Sequence, residues 1–276
     1  MLISGGLCRV DMTVINSSMP EQPPHPSIVM PQLDDHQSRP LMAKMTRIYR
    51  QIGAMREMKR FRQNLRLPLE ARRLNLQAFH LYDQYLAYAI GKLQKKGWKV
   101  YCKPGCAACC FAMPGGISTW EFLLVYDHLK QAGQLERFFR RNLESCQVLA
   151  RVRGEAAGEL IGEQVSGKSE YEMLLLKYGQ TKHPCAFLDD HQECLIYSIR
   201  PLACRMHFAC TPPELCEPTH PRFSQAVRLN LSPHTEVEEE LQRLDGHLSV
   251  NVSDLLAPGL VTLAANVLRF SAISWV

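Results

Sequence analysis

Nine of the eleven cysteines fall in two stretches, one holding Cys102, Cys106, Cys109 and Cys110, the other Cys185, Cys194, Cys204, Cys210 and Cys216. A thiolate is a soft ligand, and zinc or an iron–sulfur cluster commonly takes four of them. In a reducing compartment, cysteine at this density means metal or redox chemistry more often than structural disulfides. All nine are candidate metal ligands. Because the two stretches are far apart in the chain, a metal they share would be a long-range staple, and the two are expected to converge in space.

Spacing narrows the chemistry. Cys106-Ala-Ala-Cys109 has the two-residue gap that lets both sulfurs reach one ion, but the later cysteines are separated by 8, 9, 5 and 5 intervening residues and offer no second such pair. A zinc ribbon, which needs two, is disfavoured. Cys109 and Cys110 are neighbours, and neighbours on an extended chain point to opposite sides. Without a special turn, either two metals are bound or some thiols are spare. Lys103, Arg200 and Arg205 adjoin cysteines, where a cation favours the thiolate and offsets an anionic cluster. His183, His191 and His207 read as cap, turn or surface residues rather than ligands, with His207 the best exception, three residues after Cys204 on a helix that Pro201 can open. The isolated Cys8 and Cys146 read as inert thiols.

Other function classes leave no trace. There is no Gly-rich nucleotide loop, no Ser-His-Asp arrangement and no His-Glu-x-x-His helix, and Gly115-Gly116 alone is a weak signal. With 276 residues, 46% of them hydrophobic, the chain can bury a sizeable core without disulfides. The start shows neither a charged leader nor a small-residue cleavage site, so the expected location is the cytoplasm. The stretch Leu255 to Val276 is interrupted by Pro258, Asn266 and Arg269, whereas a bilayer span needs roughly 20 nearly uninterrupted apolar residues, so no membrane segment is predicted.

The elements that must position the cysteines read as follows. Residues 1–40 are dense in proline and are expected to form a disordered arm. Residues 41–100 form a basic helical hairpin. One helix runs from Leu41 to before Pro68, with Met45, Ile48, Ile52, Met55, Phe61 and Leu65 on one face, and a second runs from Pro68 towards Lys96, ended by Gly97. Between Lys44 and Arg73, ten Lys or Arg stand against Glu57 and Glu70. A solvated face accounts for them more simply than a nucleic-acid surface, which stays a secondary reading.

Residues 101–225 form the cysteine domain. In it Ser118-x-x-Glu121 is an N-terminal capping box, helices follow to about Arg153 and over Glu170 to Tyr178, and His183 to Tyr197 reads as a small β-hairpin. Residues 226–276 close the chain with helices over Glu236 to His247 and Ser253 to Phe270. The predicted fold class is mainly α with a small β-hairpin, an irregular cysteine-cluster metal domain flanked by helices.

Three blocks carry a family resemblance: Cys106-x-x-Cys109-Cys110, then Pro184-Cys185-Ala-Phe-Leu, then Cys194-Leu-Ile-Tyr-Ser-Ile-Arg-Pro-Leu-Ala-Cys204-Arg205. In this order they resemble the YkgJ-type cysteine-cluster family, described as zinc- or iron-chelating, over residues 102 to 216. The chain departs from the common pattern by adding Cys102 and by offering both Cys210 and Cys216 for a last ligand. Related domains occur in flagellin lysine N-methylases. That link implies a 4Fe-4S or other iron–sulfur centre, S-adenosylmethionine as a further cofactor, a methyltransferase activity and a protein substrate such as flagellin. Cys102-x-x-x-Cys106-x-x-Cys109 also resembles the three-cysteine spacing of radical S-adenosylmethionine enzymes, but those need repeated strand–helix units that this chain lacks. The leading expectation is a cytoplasmic metalloprotein carrying an iron–sulfur cluster or zinc, with a protein lysine N-methyltransferase and a zinc-stabilised nucleic-acid or protein adaptor as alternatives.

Overall fold

The computed structural model of the chain describes residues 33–103, 105–159 and 170–276, with backbone only over 156–159. The arm expected over residues 1–40 lies outside the described residues as far as position 32. Leu33 to Pro40 are tied down: the Asp35 carboxylate accepts from Tyr88 Oη and Lys92 Nζ, both at 2.7 Å, and from Ser38 N at 2.9 Å. Helix α1 (Ser38–Ala54) therefore begins before Pro40, which sits in the first turn where a missing N–H leaves no bond unmade.

The single helix expected up to Pro68 is broken. Met55 turns extended at ψ 135°, a 3₁₀ turn (Met58–Arg60) leads into the short α2 (Phe61–Asn64), and Leu65 adopts a left-handed φ of 53°. The reason is burial. The break turns Met58, Phe61 and Leu67 fully inward. Each is worth about 1.5–3 kcal/mol when buried, more than the roughly 0.5–1.5 kcal/mol of each helical hydrogen bond given up. Strand β1 (Arg66–Leu67) then leads to α3 (Leu69–Lys95), whose N-cap is Pro68 and whose stop is Gly97 at φ +86°. Tyr82 Oη donates to the Leu231 carbonyl at 2.7 Å and Asn75 Oδ1 accepts from Trp120 Nε1 at 2.8 Å, which ties α3 into the body.

Helix α4 (Thr119–Gln131) starts at the predicted capping box, with both reciprocal bonds between Ser118 and Glu121 present. Helix α5 (Leu135–Glu159) runs past Arg153 through Gly154, and α6 (Glu170–Gln180) runs one residue past Gly179, at which a Cβ would stand 2.9 Å from Pro218 Cγ.

The hairpin expected over His183 to Tyr197 shrinks to one antiparallel bridge, Leu188 with Cys194. The Asp189 carboxylate accepts from His191 N at 2.9 Å and Glu193 N at 2.8 Å, and Asp189 N donates to the Glu193 carbonyl and Leu195 N to the Phe187 carbonyl, but the flanks turn away, with Cys185 N donating to the Cys110 carbonyl and Tyr197 N to the Cys194 carbonyl. Helix α7 is a single turn (Leu202–Arg205), and His207 lies beyond it on β2 (His207–Ala209), opposite Asn230 of β3 (Arg228–Asn230) in an antiparallel pair. The expected shared helical face of Cys204 and His207 is therefore corrected.

Helix α8 (Thr235–Leu248) packs on α1, whose other side meets α3. Helix α9 (Leu256–Thr262) continues into a π turn (Leu263–Val267), and β4 (Ser274–Trp275) pairs in parallel with β1. Gly259 of α9 lets it reach the Phe122 ring and the Ser253 carbonyl, where any side chain would collide. The core runs through α1, α3, α4, α8 and α9, and the cysteine loops are laid on it. Among the described residues, no helix is long and apolar enough to cross a membrane.

Candidate metal centre

The first cysteine stretch is anchored at its start to β2. Tyr101 N donates to the Ala209 carbonyl at 2.9 Å, and Ala209 N donates to Cys102 Sγ at 3.1 Å. Gly105 at φ +80° permits the next turn, in which Cys106 N donates to the Lys103 carbonyl at 3.0 Å. The Lys103 side chain points to solvent. A 3₁₀ turn (Ala108–Phe111) follows, and it is the special turn that the adjacent cysteines required, because it brings the Cys109 and Cys110 sulfurs into a hydrogen bond.

The second stretch meets the first through the backbone: Cys185 N donates to the Cys110 carbonyl at 2.7 Å. The Phe187 N–H faces the Cys185 sulfur and the Ile196 N–H faces the Cys194 sulfur, each two residues on, a geometry that favours thiolate over thiol. Cys204 sits in α7, whose first free amide, Leu202 N, is capped by the buried Glu121 at 2.7 Å. Cys216 ends a 3₁₀ turn (Pro213–Cys216) packed on the turn that carries Cys109, and the Arg228 guanidinium hydrogen-bonds its sulfur. Cys210 N donates to the Val227 carbonyl at 2.9 Å.

Charge on one thiol is felt at its neighbours in two overlapping groups. Cys185, Cys194 and Cys204 all feel Cys109, and Cys204 feels the other three. Cys102 and Cys216 feel both Cys106 and Cys109, whereas Cys210 feels Cys102. Cys109 belongs to both groups. Burial pushes the Cys102 and Cys210 thiols up to about 11 and Cys185 up to about 12, with the neighbouring sulfurs adding to the rise. Cys109 rises first because of its bond with Cys110. As thiolates, such a group holds its charges together only with a cation among them. Among the described residues, no set of three or more His, Cys, Asp or Glu side chains closes around a point that could hold a metal ion. The sulfurs border one another without enclosing a single site.

Two arginines organise the rim. Arg205 is 4% exposed; its Nε donates to the Arg200 carbonyl at 2.9 Å, its Nη2 to the Ser198 carbonyl at 2.7 Å, and its Nη1 to Asp83 Oδ1 at 2.9 Å. It pins the loop between Cys194 and Cys204 to α3 and donates to no sulfur. Arg200 lies over the Tyr197 ring at 4.1 Å, and its charge acts on Cys109, Cys194 and Cys204. Its Nε is buried without an acceptor, and an orphaned donor of this kind costs about 1–3 kcal/mol.

Residues 101–228 match the family model CxxCxxCC, described as "Putative zinc- or iron-chelating domain". The cysteine region belongs to this family. No curated protein and no solved structure matches the chain. The residues of the CxxCxxCC domain fit a chelated metal in donor chemistry: nine thiols, Cys102, Cys185 and Cys194 among them faced by backbone amides, and a buried guanidinium donor left for an anionic acceptor.

The histidines take other partners. His183 Nε2 is 3.1 Å from Ser145 Oγ, His191 belongs to the Asp189 turn and His207 is exposed. Cys146 is half-buried on α5, its thiol pushed up to about 11 by burial, and Cys8 lies outside the described residues. Sequence reading missed Asp83 and, beyond its capping role, Glu121. A buried Arg205 demands an acceptor, but nothing in the spacing singles out an aspartate more than a hundred positions earlier.

Proposed function

We propose that the CxxCxxCC domain binds iron as an iron–sulfur cluster through Cys109, Cys185, Cys194 and Cys204, with Cys102, Cys106, Cys110, Cys210 and Cys216 forming an adjoining thiolate group that can complete or extend the centre. The observation that carries this reading is the buried Arg200 Nε, which lacks an acceptor while its charge acts on Cys109, Cys194 and Cys204. A charged thiolate or an inorganic sulfide satisfies that donor, whereas a neutral thiol is a weak acceptor. More thiols than one tetrahedral zinc needs also favour a cluster.

Bound there, the metal supplies a covalent staple between loops that the protein itself joins by few bonds, and an iron–sulfur centre adds one-electron chemistry. The chain's own residues hold the ligands. Phe187 and Ile196 amides support two sulfurs, Glu121 fixes the start of α7, and Arg205 fixes the loop that presents Arg200. A cytoplasmic location accords with this thiol-rich site. The methyltransferase activity, S-adenosylmethionine and a flagellin-like substrate rest on the resemblance alone.

Anaerobic purification with iron, sulfide and zinc analysis and a visible spectrum tests the proposal. A brown protein whose broad absorption bleaches on reduction is expected. A colourless protein with stoichiometric zinc would overturn the cluster and leave a chelating domain, and a protein with neither metal would overturn both.

A further inference from the structure

The outer side of the α1–α3 pair carries an open groove of about 600 Å³, lined by Lys44, Arg47, Ile48, Leu76, His80 and Leu81 among others. Its apolar part is unusual for an outward helix face. Leu76 is 50% exposed, and Leu69, two turns earlier on the same stripe, is 55% exposed. Exposed leucines scattered singly need no explanation, but two on one stripe beside a groove mark a surface that can be covered.

The cations decide what covers it. Arg50 pairs with Glu240, Arg72 with Asp127 and Arg73 with Glu70. Lys44 and Arg47, at the groove, are exposed and have no acidic partner among the described residues, and the same holds for Arg56, Lys59, Arg60 and Arg66 further along. A groove between two helices, apolar along its floor and unmatched in positive charge along its rim, is complementary to a third helix with one apolar face and acidic flanks. A nucleic acid would use the cations through its phosphates but would gain nothing from covering Leu69 and Leu76.

We propose that the α1–α3 groove docks an acidic amphipathic helix of a partner protein. The partner's apolar residues would lie on Ile48, Leu76 and Leu81, and its carboxylates would meet Lys44 and Arg47. This surface is built from α1 and α3 alone, so the proposal stands apart from the identity of the metal.

The test is an anisotropy titration of the full, metal-loaded chain with a labelled synthetic peptide. The peptide carries leucines at helical three- and four-residue spacing and glutamates on both flanks, and a scrambled peptide of the same composition is the comparison. The patterned peptide should bind and the scrambled one should not. Leu76→Ser should weaken binding about tenfold, and the exposed double change Lys44→Glu, Arg47→Glu at least as much. Metal content and thermal midpoint should stay as in the unaltered protein. Equal binding of both peptides, no binding of either, or binding indifferent to Leu76→Ser would overturn the proposal. So would a labelled oligouridine that displaces the patterned peptide and binds the Leu76→Ser variant as tightly as the unaltered protein, which would mark a nucleic-acid surface.

Discussion

The Cys185 amide donates to the Cys110 carbonyl at 2.7 Å, so residues 75 positions apart in the chain hold the two cysteine stretches edge to edge. One backbone bond places the Cys109–Cys110 turn beside the loops of Cys185, Cys194 and Cys204. It also limits how far the thiols can separate when no metal joins them.

Loss of a ligand should therefore show first in metal content. Cys194→Ser or Cys204→Ser is expected to remove most of the bound metal, whereas Cys146→Ser should keep all of it. The binding energy of a structural site is folding energy, on the order of 10 kcal/mol for zinc sites, so chelation should lower the thermal midpoint steeply. Full metal in both ligand variants, or an unchanged midpoint after chelation, would refute this assignment.

The two arginines should separate in their effects. Arg205→Leu removes the two hydrogen bonds that hold the Ser198 and Arg200 carbonyls, together with the pair to the half-exposed Asp83, and should destabilise the protein by at least about 3 kcal/mol, because hydrogen bonds to charged groups contribute about 1.5–3 kcal/mol each. Arg200→Leu also removes the orphaned donor, so its midpoint should change little while metal is lost faster to a competing chelator. Denaturant unfolding beside metal-release rates distinguishes them. Identical behaviour of the two variants would count against the division of roles.

Asp245 gives a pH signature. Its carboxylate accepts from Thr119 N at 2.8 Å and Trp120 N at 3.0 Å, yet burial raises its pKa to about 6. An acid raised above its unfolded value of 3.8 favours folding fully below that value, and the contribution is lost as pH rises through 6. Asp245→Asn should be more damaging at pH near 4 than near neutrality. Urea midpoints for both proteins across that range measure it, and a constant difference would contradict it.

At the start of α4, Ser118→Ala should lower stability by about 1 kcal/mol through loss of the cap to Glu121 N at 3.2 Å. Metal content should be nearly unchanged, because Glu121 Oε1 still holds Leu202 N. Calorimetry with metal analysis checks this, and a large loss of metal would show that the cap also governs α7.

Much of the helical frame was legible because its signals are local. Pro68 and Gly97 bracket α3, and Ser118 with Glu121 marks the start of α4, since proline geometry, glycine at positive φ and capping bonds act within one turn of chain. The ordered cysteine blocks carried the family for the same reason. The break at Met55 was not legible: the periodicity of one helix is the same whether Met58 and Phe61 lie on a straight face or turn into a core. The hairpin over His183 to Tyr197 keeps a single bridge because Cys185 N pairs with Cys110 and Tyr197 N turns back to Cys194, contacts that no alternation of apolar residues encodes. The separation of His207 from Cys204 depends on β2 finding β3, more than twenty residues later in the chain.

By itself, the sequence determined a mainly helical chain with a cysteine-rich, thiolate-donating domain, because residue type sets ligand chemistry and short-range spacing sets helices. Only the tertiary structure decided which thiols are neighbours, that Cys109 stands in both groups, and that Asp83 and Glu121 hold the loops presenting them. Those relations join residues distant in the chain, and they arise from shared burial and from partners for buried polar groups, which no local pattern encodes.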